Sequence, residues 1–306
     1  MAESHKLGIV ILSLVGGEML KSCLRRLSPL HDQCRVSIDG STSDIVALQA
    51  AFPSVHFVDS ERQAIPIRRQ RAVESMDHDI VVLLEDTSLP EPGWSAAICS
   101  AFSDPRVAAA GGPVLLSADM GSRHQALGCG EYGKFHPSRV ALLATGPPGE
   151  DGAMPVNRIP GNNMAYRREL LLDVLQQSEH GLIEGEVTEQ LMALGQSLLM
   201  HPGMTVVYSM GDEHGARLMT RLQHGRLFAS GRVGNEGVIT RLVWFAKSLL
   251  LPVILSVRAM SSMTRAVKPA SWPAVTLWII LMESAWSLGE GIGYLTGQGR
   301  SLEAWR

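Results

Sequence analysis

The strongest constraint on the fold is an alternation at the start of the chain. Apolar runs occupy residues 7–15 (LGIVILSLV), 35–38, 55–58 and 80–84. The stretches between them have helical spacing: Met19, Leu20, Cys23, Leu24 and Leu27 fall on one face, and residues 45–52 and 67–75 follow the same rule, with Asp44 a candidate cap. Continuous apolar runs of this length suit strands buried on both faces. The order βαβαβαβ predicts a parallel sheet with right-handed crossovers and helices on its faces. Ligand sites on such sheets lie at the carboxyl ends of the strands. Acids stand there: Asp39 after the second strand, and Glu85 and Asp86 after the fourth.

Other readings fall away on motif and composition. The P-loop GxxxxGK[ST], the GxSxG elbow, HExxH and a GxGxxG after the first strand are all absent, which argues against NTPase, α/β-hydrolase, zinc-protease and simple dehydrogenase chemistry. Four cysteines (Cys23, Cys34, Cys99, Cys129) show no CxxC spacing and read as reduced thiols in a reducing compartment. The apolar run after Lys6 reads as a first buried strand, not a signal peptide, because Glu18 and Lys21 follow with no small-residue cleavage site. An apolar share of 45% and a net charge of −3 exclude disorder, and 306 residues suit one large α/β domain with an appendage.

The mild net charge hides an asymmetry. Residues 1–216 hold 16 basic and 26 acidic side chains, net −10; residues 217–306 hold 11 basic and 4 acidic, net +7. The basic tail also carries two apolar runs, 248–257 (SLLLPVILSV) and 273–282 (PAVTLWIILM), each about half the length that spans a bilayer. Trp244, Trp272, Trp278 and Trp286 lie in or beside them. This combination predicts a helical region on an anionic membrane surface, peripheral or held by short membrane segments, with a helical subdomain packed on the main core as the alternative. No nucleic-acid partner is expected. The expected division is a catalytic domain over 1–215 and a membrane-associated helical region over 216–306. Gly289, Gly293 and Gly297 share one helix face, which lets two helices approach closely.

Several segments match one pattern in order: ILSLVGGEML (11–20), IDGSTSD (38–44), IRRQRAVESM (67–76), VVLLEDTSLPEPGW (81–94), IPGNNMAYRREL (159–170), GLIEGEVTEQLMALG (181–195) and QHGRLFA (223–229). Together they resemble the family 2 glycosyltransferases, which have the GT-A nucleotide-sugar fold, here of the membrane-associated bacterial kind. The resemblance covers roughly residues 7–230. It implies a donor site from Ser13, Glu18, Asp39, Arg69, Glu85, Asp86 and Thr87, with Asp39 at the base. It implies acceptor contacts from Gly161, Asn162 and Asn163, although a turn with capping asparagines explains the last two equally. QHGRLFA resembles a basic loop whose Arg226 would hold a phosphate.

The chemistry fits these residue types. Expelling a nucleoside diphosphate calls for positive charge, and strand-end carboxylates can hold a divalent cation, magnesium or manganese. Glu85 and Asp86 are the candidate metal ligands; Thr87 stands where the family has a second carboxylate, which weakens that expectation. A further carboxylate takes the acceptor proton. Counting back from Gly195, the resemblance places that base at Glu184, with Glu186 as the alternative. The implied function is inverting transfer of a sugar from a nucleotide-sugar donor to a hydroxyl acceptor, lipid-linked or a glycan, at the cytoplasmic face of a membrane. The alternatives are a nucleotidyltransferase on the same fold and a degenerate subunit that binds a nucleotide sugar without catalysis.

Overall fold

The computed structural model describes residues 6–14, 16–38, 45–60, 63–178, 181–211, 218–234 and 236–303. Residues 39–44 of the IDGSTSD segment, Asp39 and Asp44 among them, lie outside the described residues.

The predicted alternation is present: β1 (Leu7–Leu12), α1 (Gly17–Arg26), β2 (Cys34–Ile38), α2 (Ile45–Ala51), β3 (His56–Asp59), α3 (Ile65–Glu74) and β4 (Ile80–Glu85). Then come β5 (Ser88–Pro90), α4 (Trp94–Ala101), β6 (Val107–Gly111), β7 (Val114–Leu116), α5 (Ser122–Glu131) and β8 (Met154–Val156). The chain continues through β9 (Asn163–Arg167), α6 (Arg168–Leu175), α7 (Glu184–Ala193), β10 (Ser197–Met200) and β11 (Val206–Tyr208). Four helices follow: α8 (Leu218–Val233), α9 (Val238–Ser248), α10 (Leu251–Ala266) and α11 (Trp272–Thr296).

The described residues form two compact units, one of 1–115 with 135–213 and one of 116–134 with 214–306. The second therefore draws in α5 as well as the C-terminal helices.

An eight-stranded sheet, ordered β3-β2-β1-β4-β9-β6-β10-β8, organises the first unit. The β3-β2-β1-β4 half is parallel, as expected from the crossovers. Antiparallel β9 sits between β4 and β6, making the whole sheet mixed. Every residue of β1 is buried, which explains its unbroken apolar run. The strand ends at Leu12 and not at residue 15: the Ser13 hydroxyl accepts from the Gly16 amide at 2.9 Å, and Gly16 (φ 74°) and Gly17 (φ 64°) turn the chain into α1. Register places Leu12 opposite Glu85 and Leu84 opposite Asn163, so the ends of β1 and β4 meet the start of β9.

In the second unit α5, α8, α9 and α10 all pack on α11. Gly289 and Gly293 behave as their spacing predicts, whereas Gly297, expected on the same face, lies past the end of the helix. A Cβ on Gly289 would lie 2.0 Å from the Leu222 carbonyl oxygen, and one on Gly293 2.4 Å from that of Arg226. Gly225 of α8 returns the contact, 2.2 Å from the Trp286 carbonyl. Hence residues 223–229, expected as a loop, are helical: Gly225 breaks nothing because backbone-to-backbone packing replaces the side chain it lacks. Gly297, with φ 73°, ends α11.

Gly289→Val is expected to cost more than about 2 kcal/mol, because backbone oxygens cannot yield as side chains do. Gly185→Ala, where nothing lies within 4 Å of the added carbon, should be neutral or stabilise by up to about 1 kcal/mol. Thermal unfolding of the two variants checks the contrast.

Candidate active site

The site is built on α3. Residues Ile65, Arg68, Arg69, Ala72 and Val73 form the buried stripe of this helix, so two adjacent arginines occupy positions normally held by apolar side chains. Arg68 is 3% exposed and Arg69 2%. A buried guanidinium persists only where its donors are matched, and the two find partners on different sides. Arg68 donates to the carbonyls of Ser37 (2.6 Å) and Ser13 (2.8 Å), clamping the ends of β1 and β2. Arg69 donates through Nη1 to Glu184 Oε2 at 2.8 Å and through Nη2 to Glu85 Oε1 at 3.2 Å.

One guanidinium thus joins the end of β4 to the first turn of α7. The position of α7 is fixed a second time by the first turn of α3. Gly181 (φ 84°) lies against the Pro66 carbonyl, too close for a side chain, and the Leu182 amide donates to that carbonyl at 3.0 Å. Glu184 opens α7, where unpaired amides and the helix dipole favour a carboxylate. Gly161 completes the corner: a Cβ there would stand 2.6 Å from Glu184 Oε1. The carboxylates of Glu85 and Glu184 keep 31% and 35% of their side-chain surface exposed, so both remain open to solvent and substrate.

The other expected site residues serve around this corner or away from it. Asp86 is buried and accepts from the Ser13 hydroxyl at 2.5 Å. Ser13 is itself fully buried, bound to Asp86 and Gly16, and acts as a support of the strand end. Thr87 is buried, with its hydroxyl lacking a partner among the described residues. Glu18 is at the surface of α1, where the Lys21 ammonium at 2.7 Å holds its carboxyl below the usual range. Glu186 lies two residues along α7 and is half-buried.

Asn162 and Asn163 are wholly buried. The Asn162 amide donates to the Ser88 hydroxyl at 2.9 Å. Asn163 donates to the Met204 carbonyl at 2.6 Å and accepts from the Trp94 indole at 3.0 Å. Their side chains therefore hold the interior together, and of the expected acceptor-side residues only Gly161 borders Glu184. Arg226 belongs to the second unit. It donates to the Gly297 carbonyl at 2.8 Å and the Thr296 hydroxyl at 3.1 Å, supplying donors that the end of α11 lacks.

Among the described residues no three His, Cys, Asp or Glu side chains gather as a metal-ligand set. Asp86 is turned to Ser13 and Glu85 to Arg69, so these carboxylates do not fit a preformed divalent site. Three of the four thiols are poor nucleophiles: burial pushes Cys34 and Cys129 up to about 12 and Cys23 well above its usual value. A cavity of about 460 Å³ lined by Lys6, Gln33, His78 and Cys99 among others lies at the amino-terminal ends of β1 and β4, opposite the acids.

No protein-family model and no curated protein matches the sequence. Solved structures do match. The mannosyltransferase PcManGT from Pyrobaculum calidifontis, in complex with GDP-Man and Mn2+, aligns over 95% of this chain and 87% of its own, with a TM-score of 0.53 and 14% identity. GalNAc-T7 with UDP, GalNAc and Mn2+ aligns over 67% of this chain and 43% of its own, with a TM-score of 0.50 and 10% identity. This chain thus spans under half of the second protein. At such identities the likeness establishes the fold, which is of the GT-A glycosyltransferase type.

Arg69→Met is expected to strand two carboxylates and lower stability by about 1–3 kcal/mol, with Arg69→Lys recovering only part because an ammonium lacks the two-sided fork. Asn163→Leu should cost a similar amount by leaving the Trp94 indole and the Met204 carbonyl unpaired. Chemical denaturation of the purified variants measures both.

Proposed function

We propose that the chain transfers a sugar from a nucleotide-sugar donor to a hydroxyl acceptor, with inversion at the anomeric carbon. The observation that carries this reading is the convergence of Glu85, Arg69, Gly161 and Glu184 at the carboxyl end of a GT-A-type sheet. Glu184 is the base. It accepts the acceptor's hydroxyl proton as that oxygen bonds to the anomeric carbon. The bond from that carbon to the diphosphate breaks on the opposite face, and its electron pair leaves with the nucleoside diphosphate. Attack opposite the leaving group inverts the centre. Arg69 holds Glu184 in orientation and places positive charge at the strand ends, where the developing diphosphate charge is expected. Glu85 balances that arginine so that it is buried without being unmatched.

Several details support this division of labour. Glu184 touches Arg69 and the Gly161 corner, which favours it over Glu186 as base. The backbone at Gly161 is offered as the acceptor-side surface, since the two asparagines beyond it are engaged inside. The acceptor is read as lipid-linked on the basic, apolar composition of residues 217–306.

Glu184→Gln is expected to lower transfer about 10²–10⁴-fold while leaving donor binding intact. Glu186→Gln should retain most of the rate. The reverse pattern would move the base to Glu186, and loss of activity in neither variant would sink the base assignment. A panel of nucleotide sugars, read by thermal shift, identifies the donor: the right one should add about 2.7 kcal/mol at a hundredfold excess over its dissociation constant.

A further inference from the structure

Helices α9 and α10 are packed with their polarity reversed. In α10 the side chains turned to the interior are Ser256, Ala259, Ser262 and Met263. The opposite face, at spacing i, i+3, i+4, i+7, is Leu250, Val253, Ile254 and Val257, exposed by 64, 68, 49 and 61%. In α9 Val238, Ile239, Leu242 and Val243 are likewise turned out, and Leu249 stands exposed at the break between the two helices. In α11 the buried set is mixed, with Val275, Ile279 and Met282 beside Glu283, Ser287, Gly289, Glu290 and Gly293, while Leu277, Ile280, Leu281 and Leu288 face outward.

Water selects the opposite arrangement, with aliphatics in and serines and glutamates out. Small residues between helices and branched aliphatics outside is the arrangement that an apolar solvent selects. The exposed set far exceeds the scattered apolar residues of an ordinary surface. The tryptophans do not supply it: all four are half-buried, with Trp244 beneath Arg232 and Lys247, and Trp286 beside Arg221.

Charge identifies the occupant. Residues 237–282 contain Arg241, Lys247, Arg258, Arg265 and Lys268 and no Asp or Glu. Lys247, Arg258, Arg265 and Lys268 are exposed alongside the aliphatics. A second copy of this surface would bring like charges together, whereas acidic headgroups above hydrocarbon would match both components. No single described helix is long and apolar enough to cross a membrane; α9 and α10, bent by 51°, pass that test only together.

We infer that the outer face of α9 and α10 embeds in one leaflet of an anionic membrane, with the aliphatics in the acyl region and the lysines and arginines at the phosphates. This inference is independent of the glycosyltransferase reading, because binding is measured without substrate.

The test is co-sedimentation of the full chain with vesicles of equimolar phosphatidylglycerol and phosphatidylcholine, against vesicles of phosphatidylcholine alone. The chain is expected to bind the anionic vesicles much more tightly and to release as salt rises. Val253→Asp with Val257→Asp should abolish binding at unchanged thermal unfolding, since both sites are exposed. Lys247→Gln and Lys268→Gln should each weaken it about fivefold. Retained binding in the aspartate variant, equal binding to neutral vesicles, or no binding by the parent chain would each overturn the inference. So would a detergent-free dimer, seen by light scattering, that the aspartate pair dissociates, because a second copy would then be the occupant.

Discussion

One buried positive charge governs the carboxyl end of the sheet. Arg69 bridges residues 16 and 115 positions away in sequence, so β4, α3 and α7 acquire a common reference point through a single side chain. Its worth lies between two limits. A pair of exposed ions contributes less than about 1 kcal/mol, and a fully buried pair is strongly damaging to break. Here the guanidinium is buried and the two carboxylates are one-third exposed, so it depends on them more than they depend on it. That imbalance is useful chemically. The carboxylates remain accessible while the arginine holds them in place.

Much of this was legible in the sequence, for a physical reason. Strands buried on both faces must be apolar throughout, so β1 and β4 appear as unbroken runs, and the acids at their ends stand out by contrast. The convergence of Glu85 with Glu184 was likewise reachable from segment order through the family resemblance. Asp39, the third member of the expected group, lies outside the described residues, so its part in that group is untested. The roles of Asn162 and Asn163 were not legible. Turn asparagines and interior asparagines look alike until Trp94 and Met204, remote in sequence, close around one of them. The surroundings of Arg226 were not legible for a related reason: a basic residue after the core suggests a ligand, and its partners in the structure are carbonyl and hydroxyl oxygens at the end of a helix some 70 residues on. Arg68 carried a signal that went unused. An arginine pair on the apolar stripe of a short helix, in phase with Ile65, Ala72 and Val73, already implies that both charges are buried and matched.

The two units treat buried charge differently, and the difference bears on what each is for. In the first, Arg69 faces carboxylates that solvent reaches. In the second, Arg221 pairs with Glu131 at 2.9 Å and with Glu283 at 3.3 Å, and Glu290 accepts from Trp286 and Tyr294 at 2.6 and 2.7 Å. Burial raises the Glu283 carboxyl despite the arginine beside it, a sign that the enclosure costs more than the pairing returns. Such a network adds little stability over a well-packed apolar interior. It does fix register: the two glutamates are seven residues apart on one face of α11, and each has a particular arginine of α8 to meet, Arg221 or Arg232. With glycines setting the helix spacing and ion pairs setting the register, the α8–α11 seam is specified largely by small and charged side chains, while Val275, Ile279 and Met263 fill the contact between α10 and α11. The aliphatics of α9 and α10, by contrast, are turned to the outer face, which is the surface inferred above to meet an acyl layer.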